Sequence, residues 1–501
     1  MFGWFKRRKQ ERQRAEGAAL RDSLLARVLA KYDAAETNDD NKRHWSKADA
    51  LSASSANSLA VRSRLRSRAR YECANNCYAN GMVRTLAYHG IGTGPTLSID
   101  SDDDHAREVE DRWLEYSDAI GLAEKLRTMR EARARDGEAF AMIVTNPAIR
   151  CPVQVDLNVF ECDRVSDPAS PAMTASDARN YADGITFDKY GNATRYNVLR
   201  DHPGDLWATL ESDPVDASYI VHWYRNDRPG QRRGIPELTP ALPLYAILRR
   251  YTLAVLQSAE VAALMALFLK TTSPAIDPAS VDPYDLIDIE RNSMMTLPDG
   301  WDVQQLKAEQ PTTTFDAFAR TVLREIARCL DMPFNIAAGD SSSYNYSSGR
   351  LDHQTYWRAL GVDRQSCERV VLGPLFDAWY DDGLLTPGYF TTERATLTRP
   401  ATGWDWPPFE HVDPEKESKA TANDLSFALT SIPTEHARRG RRWDRELTRQ
   451  ARALGLTLPQ LQAKLVDKLY GPTTAATPTG SNANDNANNA DNTQEETANA
   501  Q

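Results

Sequence analysis

The sequence predicts an α+β protein organised around long helices. Its first half alternates helical segments with short strands and a hairpin. Two apolar helices then flank a compact insert, and a third long helix follows a polar loop. This order predicts a helical stalk with a small tip, built by packing many copies of the chain side by side. The 501 residues are enough for roughly 2–4 domains.

The charge of the chain is unevenly distributed. Residues 1–70 hold 17 Lys and Arg against 8 Asp and Glu, whereas the remaining residues hold 43 against 62. Residues 1–50 are also poorly patterned, which predicts a mobile basic N-terminal arm. Such an arm either contacts a polyanion or is simply solvated. Its start lacks the apolar segment of a signal peptide.

Residues 51–89 are predicted to be helical. They contain five arginines at alternating positions: Arg62, Arg64, Arg66, Arg68 and Arg70. The residues between them lack the apolar pattern of a strand. On a helix these arginines spread around the surface, which predicts contacts with neighbouring chains or a solvated face. Gly90, Gly92 and Gly94 then predict a turn between a helix and a strand.

The next segments complete a mixed domain that we place at residues 51–235. Their patterns predict a helix over 104–135, strands over 138–145, 151–160 and 219–225, and a hairpin over 184–199. The hairpin turn is centred on Tyr190-Gly191-Asn192, which tolerates positive φ.

A long apolar helix is predicted for residues 236–270, with Thr239 as its cap and Pro240 at its first position. It is apolar on most of its circumference, so it must be covered by its own domain or by copies of itself. Charged and polar residues near its centre argue against a membrane span. Residues 271–312 predict a small helix-hairpin insert that turns at Asp299-Gly300.

A second apolar helix is predicted over residues 313–332, because apolar residues recur at helical spacing from Phe315 to Leu330 and Pro333 follows. A polar stretch precedes a third helix near 348–380, for which Ser347 or Ser348 is the predicted cap. Connecting strands up to residue 400 and two helices within 401–460 follow. The Asn/Ala/Thr-rich residues 461–501 predict a disordered tail.

Few patterns point to catalysis, a cofactor or a metal. The sequence has no GxxxxGK[ST] and no GxSxG motif. Ser347, His353 and Asp352 are the residue types of a catalytic triad. However, Asp352 and His353 are adjacent, so on a helix their side chains point about 100° apart and pair poorly with each other. Cys73 and Cys77 lack two further zinc ligands and are predicted to be buried on a helix face. We therefore expect no enzyme, cofactor or metal, with a metal-dependent nuclease as the alternative.

Four motifs resemble those of the lambda-type bacteriophage portal protein family, the head-to-tail connectors. They are RSRARYECANNCYANGMVRTLAYHGIGTG (66–94), HWYRNDRPGQRRGIPEL (222–238), GDSSSYNYSSGR (339–350) and WPPFEHVDPEKESKA (406–420). The family's Tyr-Ser-Ser-x-Arg motif fits Tyr346, Ser347, Ser348 and Arg350. Its Asp-Pro-x-Lys-Glu motif fits Asp413, Pro414, Lys416 and Glu417. The two termini do not match the family.

The resemblance implies a homo-oligomeric ring, usually of twelve chains, assembled in the host cytoplasm and placed at one capsid vertex of the virion. Double-stranded DNA would pass through its channel during packaging and ejection. Terminase, head-tail adaptor, capsid and scaffold proteins would dock on it. The implied wing covers 51–235 and the helix and connecting strands of 348–400. The implied stem helices are 236–270 and 313–332, the clip 271–312, and the helical crown 401–460.

The resemblance also implies that residues 333–347 form a tunnel loop facing the DNA. The predicted channel-facing residues are Asp340, Ser341, Ser342, Ser343, Tyr344, Asn345, Tyr346 and Ser347. An acidic body with small polar residues at the constriction fits DNA passage better than capture, because each neutralised phosphate adds affinity. Since the chain has no nucleotide-binding loop, the pumping energy must come from a separate motor, which the resemblance identifies as terminase.

Overall fold

The structure is a computed structural model in which helices and strands are mixed through the first half of the chain. It describes residues 37–99, 101, 103–166, 180–264, 268–271, 301–304, 315–342, 344–391, 399–409, 414–439, 441 and 443–470. Most of the predicted N-terminal arm, most of the predicted clip and residues 471–501 lie outside these ranges. The division into wing, stem, clip and crown stays a prediction.

The chain begins with three helices, α1 (Ala53–Ala56), α2 (Leu59–Asn75) and α3 (Cys77–Gly90). The predicted helical segment is therefore interrupted at Asn76, whose side chain accepts hydrogen bonds from the Tyr78 and Ala79 N–H groups and caps α3. Gly92 and Gly94 have positive φ and turn the chain into strand β1 (Thr96–Ile99), as predicted.

The predicted helix over 104–135 is two helices, α4 (Asp104–Ala119) and α5 (Leu122–Asp136). Gly121 separates them because its φ of 63° is left-handed. Seven strands follow: β2 (Glu138–Thr145), β3 (Val155–Phe160), β4 (Tyr181–Ala182), β5 (Ile185–Phe187), β6 (Ala193–Leu199), β7 (Ser212–Asp216) and β8 (Ile220–Tyr224). They form two antiparallel sheets, one in the order β3–β2–β8 and one in the order β4–β5–β6–β7. The predicted hairpin is confirmed, with Gly191 at a φ of 91° in its turn.

The first long apolar helix, α6 (Leu242–Leu264), is shorter than predicted. Residues 268–271 form strand β9, which pairs with β10 (Trp301–Gln304) in antiparallel register. One prediction is thereby corrected, because the helix does not reach residue 270. Residues 301–304, predicted as part of a hairpin, pair with β9. A short continuous apolar run does not distinguish a strand from a buried helix. The predicted turn at Asp299-Gly300 lies outside the described residues.

Four helical segments follow: α7 (Phe315–Cys329), α8 (Phe334–Ala338), α9 (Tyr346–Cys367) and α10 (Gly373–Leu385). A wider π turn at Glu368–Leu372 joins α9 to α10 without a break. Pro374 explains the widening, because it lacks an N–H group and its ring crowds the carbonyl four residues earlier. The Trp406 Nε1–H group donates to Glu368 Oε1 at 2.5 Å and holds the later chain against this turn.

The C-terminal part differs most from the predictions. Strand β11 (Thr402–Asp405) pairs with β1, so a strand lies where the helical crown was predicted to begin, rather than before residue 400. The structure then has four helices rather than two: α11 (Pro414–Ser426), α12 (Ile432–Arg438), α13 (Trp443–Ala453) and α14 (Leu458–Tyr470). Residues 461–470, predicted to be disordered, belong to α14, where Leu461 is buried with Leu447 and Ala451.

Three hydrophobic clusters hold the body together. The first lies between α4, α5, the β3–β2–β8 sheet and α10, and includes Trp113 and Trp379. The second joins α2, α3, α6, α7, α8 and α9 around Tyr245 and Tyr356. The third lies between the two sheets around Phe140. Among the described helices, none combines the length and the apolar character needed to cross a membrane.

Candidate functional site

The polar stretch predicted as a tunnel loop is a short turn between α8 and α9. Phe334 and Ala337 of α8 are buried, so the beginning of the predicted loop belongs to the second cluster instead. Pro333 both follows α7 and precedes α8 as its N-cap residue. Gly339 ends α8 with a left-handed φ of 66°. Of the predicted 333–347, residues 339–345 lie between the two helices.

Hydrogen bonds within this turn give it a defined shape. The Asp340 N–H group donates to the Asn335 carbonyl at 3.1 Å, and the Tyr344 N–H group donates to the Ser341 carbonyl at 3.1 Å. The Ser342 N–H group donates to Asp340 Oδ1 at 2.9 Å. These contacts with Ser342 lower the pKa of Asp340, so its carboxyl group is charged at neutral pH.

Arg320 of α7 fastens the turn to the neighbouring helix. Its guanidinium lies 3.2 Å from Asp340 Oδ2 and donates to Ser342 Oγ at 3.4 Å. The same arginine pairs with Asp316 one turn earlier on α7, at 2.9 Å. The one carboxylate of the predicted loop is therefore paired, and its exposed side chains Ser341, Ser342 and Asn345 are uncharged.

The start of α9 differs from the prediction. Asn345 is its N-cap residue: the Ser348 N–H group donates to Asn345 Oδ1 at 2.8 Å, and the Ser348 hydroxyl accepts from the Asn345 N–H group at 3.3 Å. This reciprocal capping box makes Tyr346 and Ser347 the first two helical residues rather than loop residues. Ser348 takes part in the cap from the third helical position, and Ser347 is not the cap.

Tyr344 anchors the turn instead of projecting freely from it. Its side chain is half-buried against the second cluster. It lines a groove of about 580 Å³ together with Phe334, Arg324, Arg328 and Asp352, among others. Burial raises the pKa of Tyr344, and the nearby Asp352 carboxylate raises it further. That Tyr344 faces a channel stays a prediction; its side chain is less exposed than those of Ser341, Ser342 and Asn345.

The remaining predicted residues are dispersed. Arg350 is exposed on α9. Pro414, Lys416 and Glu417 lie in the first turn of α11. Ser343 and Asp413 lie outside the described residues. The structure thus places the two family-motif groups on different helices and shows no common site for them among its described residues.

The residues considered for hydrolysis take separate partners. His353 Nε2 lies 3.0 Å from the Asn335 side-chain nitrogen, which donates to it. Asp352 lies beside the Tyr344 hydroxyl. Asp352 and His353 therefore do not pair with each other. A catalytic triad needs an acidic residue that orients the histidine acting as the base, and these two residues lack that geometry.

A buried ion-pair network is the main feature that the sequence analysis missed. Its centre is Glu138, the first residue of β2, whose side chain is fully buried. One carboxylate oxygen lies 2.6 Å from Arg66 and 2.6 Å from Arg233. The other accepts from the Gly234 N–H group at 3.0 Å and lies 3.0 Å from His222 Nε2. We call Glu138, Arg66, Arg233, His222 and Gly234 the Glu138 network.

The charges of this network stabilise one another. Burial alone would raise the pKa of Glu138, but Arg233, His222 and Arg66 together hold it well below its ordinary value. Burial lowers the pKa of His222, so the ring is neutral and donates its Nε2–H group to the carboxylate. The network joins α2, β2, β8 and the segment that leads into α6.

The prediction that all five arginines of this helix lie on its surface is therefore wrong for some of them. Arg66 and Arg62 are buried, and Arg62 pairs with Asp183. Arg70 is half-buried between Asp136 and Asp163, at 2.6 Å from each. These three arginines are four residues apart and so share one face of α2. The four-residue spacing is the feature of the sequence that could have predicted this buried face. The exposed Arg64 and Arg68 lie between the three arginines and obscure the spacing.

A second buried group lies around Glu237. Its carboxylate accepts from Arg133 at 2.9 Å and lies 3.1 Å from Arg130, both on α5. Asp363 of α9 also pairs with both arginines, at 2.5 Å and 2.9 Å. Burial raises the pKa of Glu237, but Arg130 and Arg133 outweigh it and lower the pKa to about 2. This group ties α9 to α5 and to the start of α6.

Three potential metal ligands, Glu161, Asp163 and His202, lie together on the surface. Asp163 already pairs with Arg70 at 2.6 Å and Arg66 at 3.3 Å, and these cations oppose a metal ion. The group therefore fits an ion-pair cluster better than a metal site. Elsewhere, Cys73 is buried as predicted, whereas Cys77 is exposed.

Comparison with known families identifies the chain. The family model described as "Phage portal protein, lambda family" matches residues 40–364. The chain belongs to this family. The matched portal region includes α1 to α8, both buried ion-pair groups, the polar turn and most of α9. The predicted family and the α+β fold class are confirmed, and portal membership supports a portal function rather than a nuclease. A comparison with curated protein sequences gives no match.

Several solved structures resemble this portal-family chain. The neck of an empty gene transfer agent (GTA) particle, computed with C6 symmetry, is 14% identical; the match covers 74% of this chain and 92% of that chain, with a TM-score of 0.42. The neck of a native GTA particle, computed with C12 symmetry, is 14% identical, with coverage of 74% and 92% and a TM-score of 0.41. An HK97 family phage portal protein from Corynebacterium diphtheriae is 12% identical, with coverage of 68% and 96% and a TM-score of 0.30.

Proposed function

We propose that this chain forms the portal ring of a phage or phage-like particle. Copies of the chain, twelve in the predicted ring, surround a channel at one capsid vertex through which double-stranded DNA enters and leaves. Terminase, capsid and scaffold proteins and head-tail adaptors dock on the ring. The observation that carries this proposal is the portal-family match over residues 40–364.

The surface of the predicted stem helices supports assembly into a ring. Ile247, Leu253 and Leu256 of α6 are 52%, 51% and 60% exposed, and Phe318 of α7 is 50% exposed. The second cluster covers Leu242, Tyr245 and Leu248 in the first part of α6, whereas Leu253 and Leu256 lie further along the helix. Neighbouring copies in a ring would cover these later turns, as expected for apolar residues that gather on one part of a surface.

Imaging the purified full-length chain by electron microscopy tests the proposal. We expect closed rings with a central hole wide enough for duplex DNA. A homogeneous monomer that cleaves DNA with magnesium would contradict the proposal and favour the nuclease. Rings without a hole would favour a scaffold role instead.

The polar turn is our proposed DNA-facing surface. Its exposed side chains Ser341, Ser342 and Asn345 are uncharged, and Asp340 is neutralised by Arg320. A surface without free cations adds no phosphate contacts that would hold the DNA. In a ring of many copies, even one cation per chain would add many such contacts.

Replacing Ser341 with Arg is therefore expected to impair DNA passage without impairing assembly. The substitution adds one exposed cation per copy, and phosphate contacts raise affinity steeply and in a salt-dependent manner. We expect about tenfold fewer DNA-filled particles, counted by electron microscopy, with ring size unchanged. Ser341→Gln is the matched control, because it adds a long side chain without charge. Equal yields of DNA-filled particles for the two variants would show that the turn does not face the channel.

A further inference from the structure

The connection between β6 and β7 carries an exposed apolar tip. Leu206 and Trp207 are 96% and 92% exposed, the two highest values among the large apolar residues that the structure describes. Single exposed apolar residues are common on protein surfaces. An adjacent Leu-Trp pair at the end of a hairpin connection contributes nothing to the third cluster beneath the sheet. We call Leu206 and Trp207 the apolar tip.

The base of this connection is held by a set of polar contacts. Arg200 donates to both carboxylate oxygens of Asp213 at 2.9 Å and to Glu211 at 2.7 Å. Asp201 accepts from the Thr209 N–H group at 3.0 Å and from the Thr209 hydroxyl at 2.7 Å. These contacts order the segment before any partner binds. Binding at the apolar tip therefore loses little free energy to ordering of the segment.

The charge around the tip is acidic. Residues 200–213 contain four carboxylates, Asp201, Asp205, Glu211 and Asp213, against the single cation Arg200, which is already paired with two of them. Such a collar is repelled by acidic surfaces and attracted by basic ones. Another copy of this chain holds 60 Lys and Arg against 70 Asp and Glu, with its basic excess in residues 1–70, so the acidic charge of its body disfavours a second copy as the partner.

We propose that the apolar tip is an anchor that inserts into an apolar pocket rimmed by Lys and Arg on a different protein of the same particle. Tryptophan is among the residues that most often dominate binding at protein interfaces, especially when a pocket removes it from water. The acidic collar then pairs with the basic rim and fixes the orientation. This inference rests on the proposed function in one respect, namely that the partner belongs to the particle.

Site-specific photo-crosslinking in assembled particles tests the anchor. p-Benzoylphenylalanine replaces Trp207 in the full-length chain, and the control places it at Tyr190. Tyr190 is an aromatic residue in the preceding turn of the same sheet, between β5 and β6. It is 77% exposed, and the Lys189 ammonium lies 4.7 Å from its ring. We expect a single adduct from position 207, at an apolar segment flanked by Lys or Arg on another particle protein, at least about tenfold stronger than from position 190. An adduct with a second copy, no adduct, or equal adducts from both positions would overturn the inference.

A second measurement separates the anchor from the portal assignment. Trp207→Ala is expected to leave the ring unchanged by microscopy and to reduce the fraction of particles that contain a ring about tenfold or more. Tyr190→Ala is expected to change that fraction less than about twofold, as for most peripheral contacts. Intact rings with normal incorporation of the Trp207→Ala variant would refute the anchor alone. Failure of the unsubstituted chain to form rings would refute the proposed function instead.

Discussion

Replacing Glu138 with Gln is expected to lower the free energy of unfolding by about 3–5 kcal/mol. Gln keeps the size of the side chain but removes the charge that faces Arg66 and Arg233, at 2.6 Å from each. Two buried guanidinium groups then lose their main counter-ion, and breaking a buried ion pair in this way costs more than the pair contributes when it is intact. Thermal and denaturant unfolding of the full-length chain measure the loss.

Glu211→Gln is the matched control for this prediction. Glu211 also pairs with an arginine, but its side chain is 68% exposed, so its removal should change the free energy of unfolding by about 0.5 kcal/mol or less. A Glu138→Gln variant as stable as this control would show that the buried charges are compensated without Glu138.

The two buried carboxylates, Glu138 and Glu237, predict how stability changes in acid. The pKa of Glu138 lies well below the ordinary 4.5, and that of Glu237 is about 2. Both carboxylates therefore bind protons more weakly in the folded chain than in the unfolded chain. The stability they contribute is fully present above pH 4.5 and is lost as the pH falls from there towards 2. The Glu138→Gln variant should show a shallower pH dependence in that window.

Replacing Gly234 with Ala is expected to cost about 3 kcal/mol or more. A Cβ at this position would lie 2.0 Å from the Gly137 carbonyl oxygen and 2.6 Å from its carbonyl carbon, both of which are backbone atoms. The backbone must shift to relieve this contact. The shift also displaces the Gly234 N–H group from Glu138, to which it donates at 3.0 Å. Unfolding by heat or denaturant again provides the measurement.

Gly361→Ala is the matched control and should have the opposite sign. Gly361 lies inside α9, and a Cβ there meets nothing within 4 Å. Alanine in a helix interior is more favourable than glycine by roughly 0.5–1 kcal/mol. If both variants lose stability equally, the contact between Gly137 and Gly234 is not the cause of the Gly234 effect.

Local periodicity explains which parts of the fold were predictable. The apolar stripe from Phe315 to Leu330 repeats at helical spacing, and α7 lies where that stripe predicts it. The turn at Gly191 was predictable because its left-handed backbone selects glycine. The end of α6 was not predictable, because a continuous apolar run has no periodicity that distinguishes a helix from a strand. The pairing of β9 with β10 was not predictable either, because it joins residues that are far apart in the chain.

The site residues show a similar limit. A serine-rich stretch offers several possible caps, and composition does not rank them. The choice of Asn345 follows from its reciprocal bonds with Ser348. Likewise, the burial of Arg62 and Arg66 depends on Asp183 and Glu138, which the sequence places far from α2. Long-range partners of this kind are set by tertiary packing and leave only weak local signals.

The pairing of β1 with β11 has a consequence for how the chain is made. Thr96 pairs with Asp405, so roughly 300 residues must be synthesised before β1 meets its partner strand. At about 5–20 residues per second, the ribosome delivers β11 some 15–60 seconds after β1 has emerged. During that interval β1 presents an unpaired edge, which is a template for pairing with other nascent chains. The portal body is thus completed only late in translation, although most of its first cluster comes from residues made early.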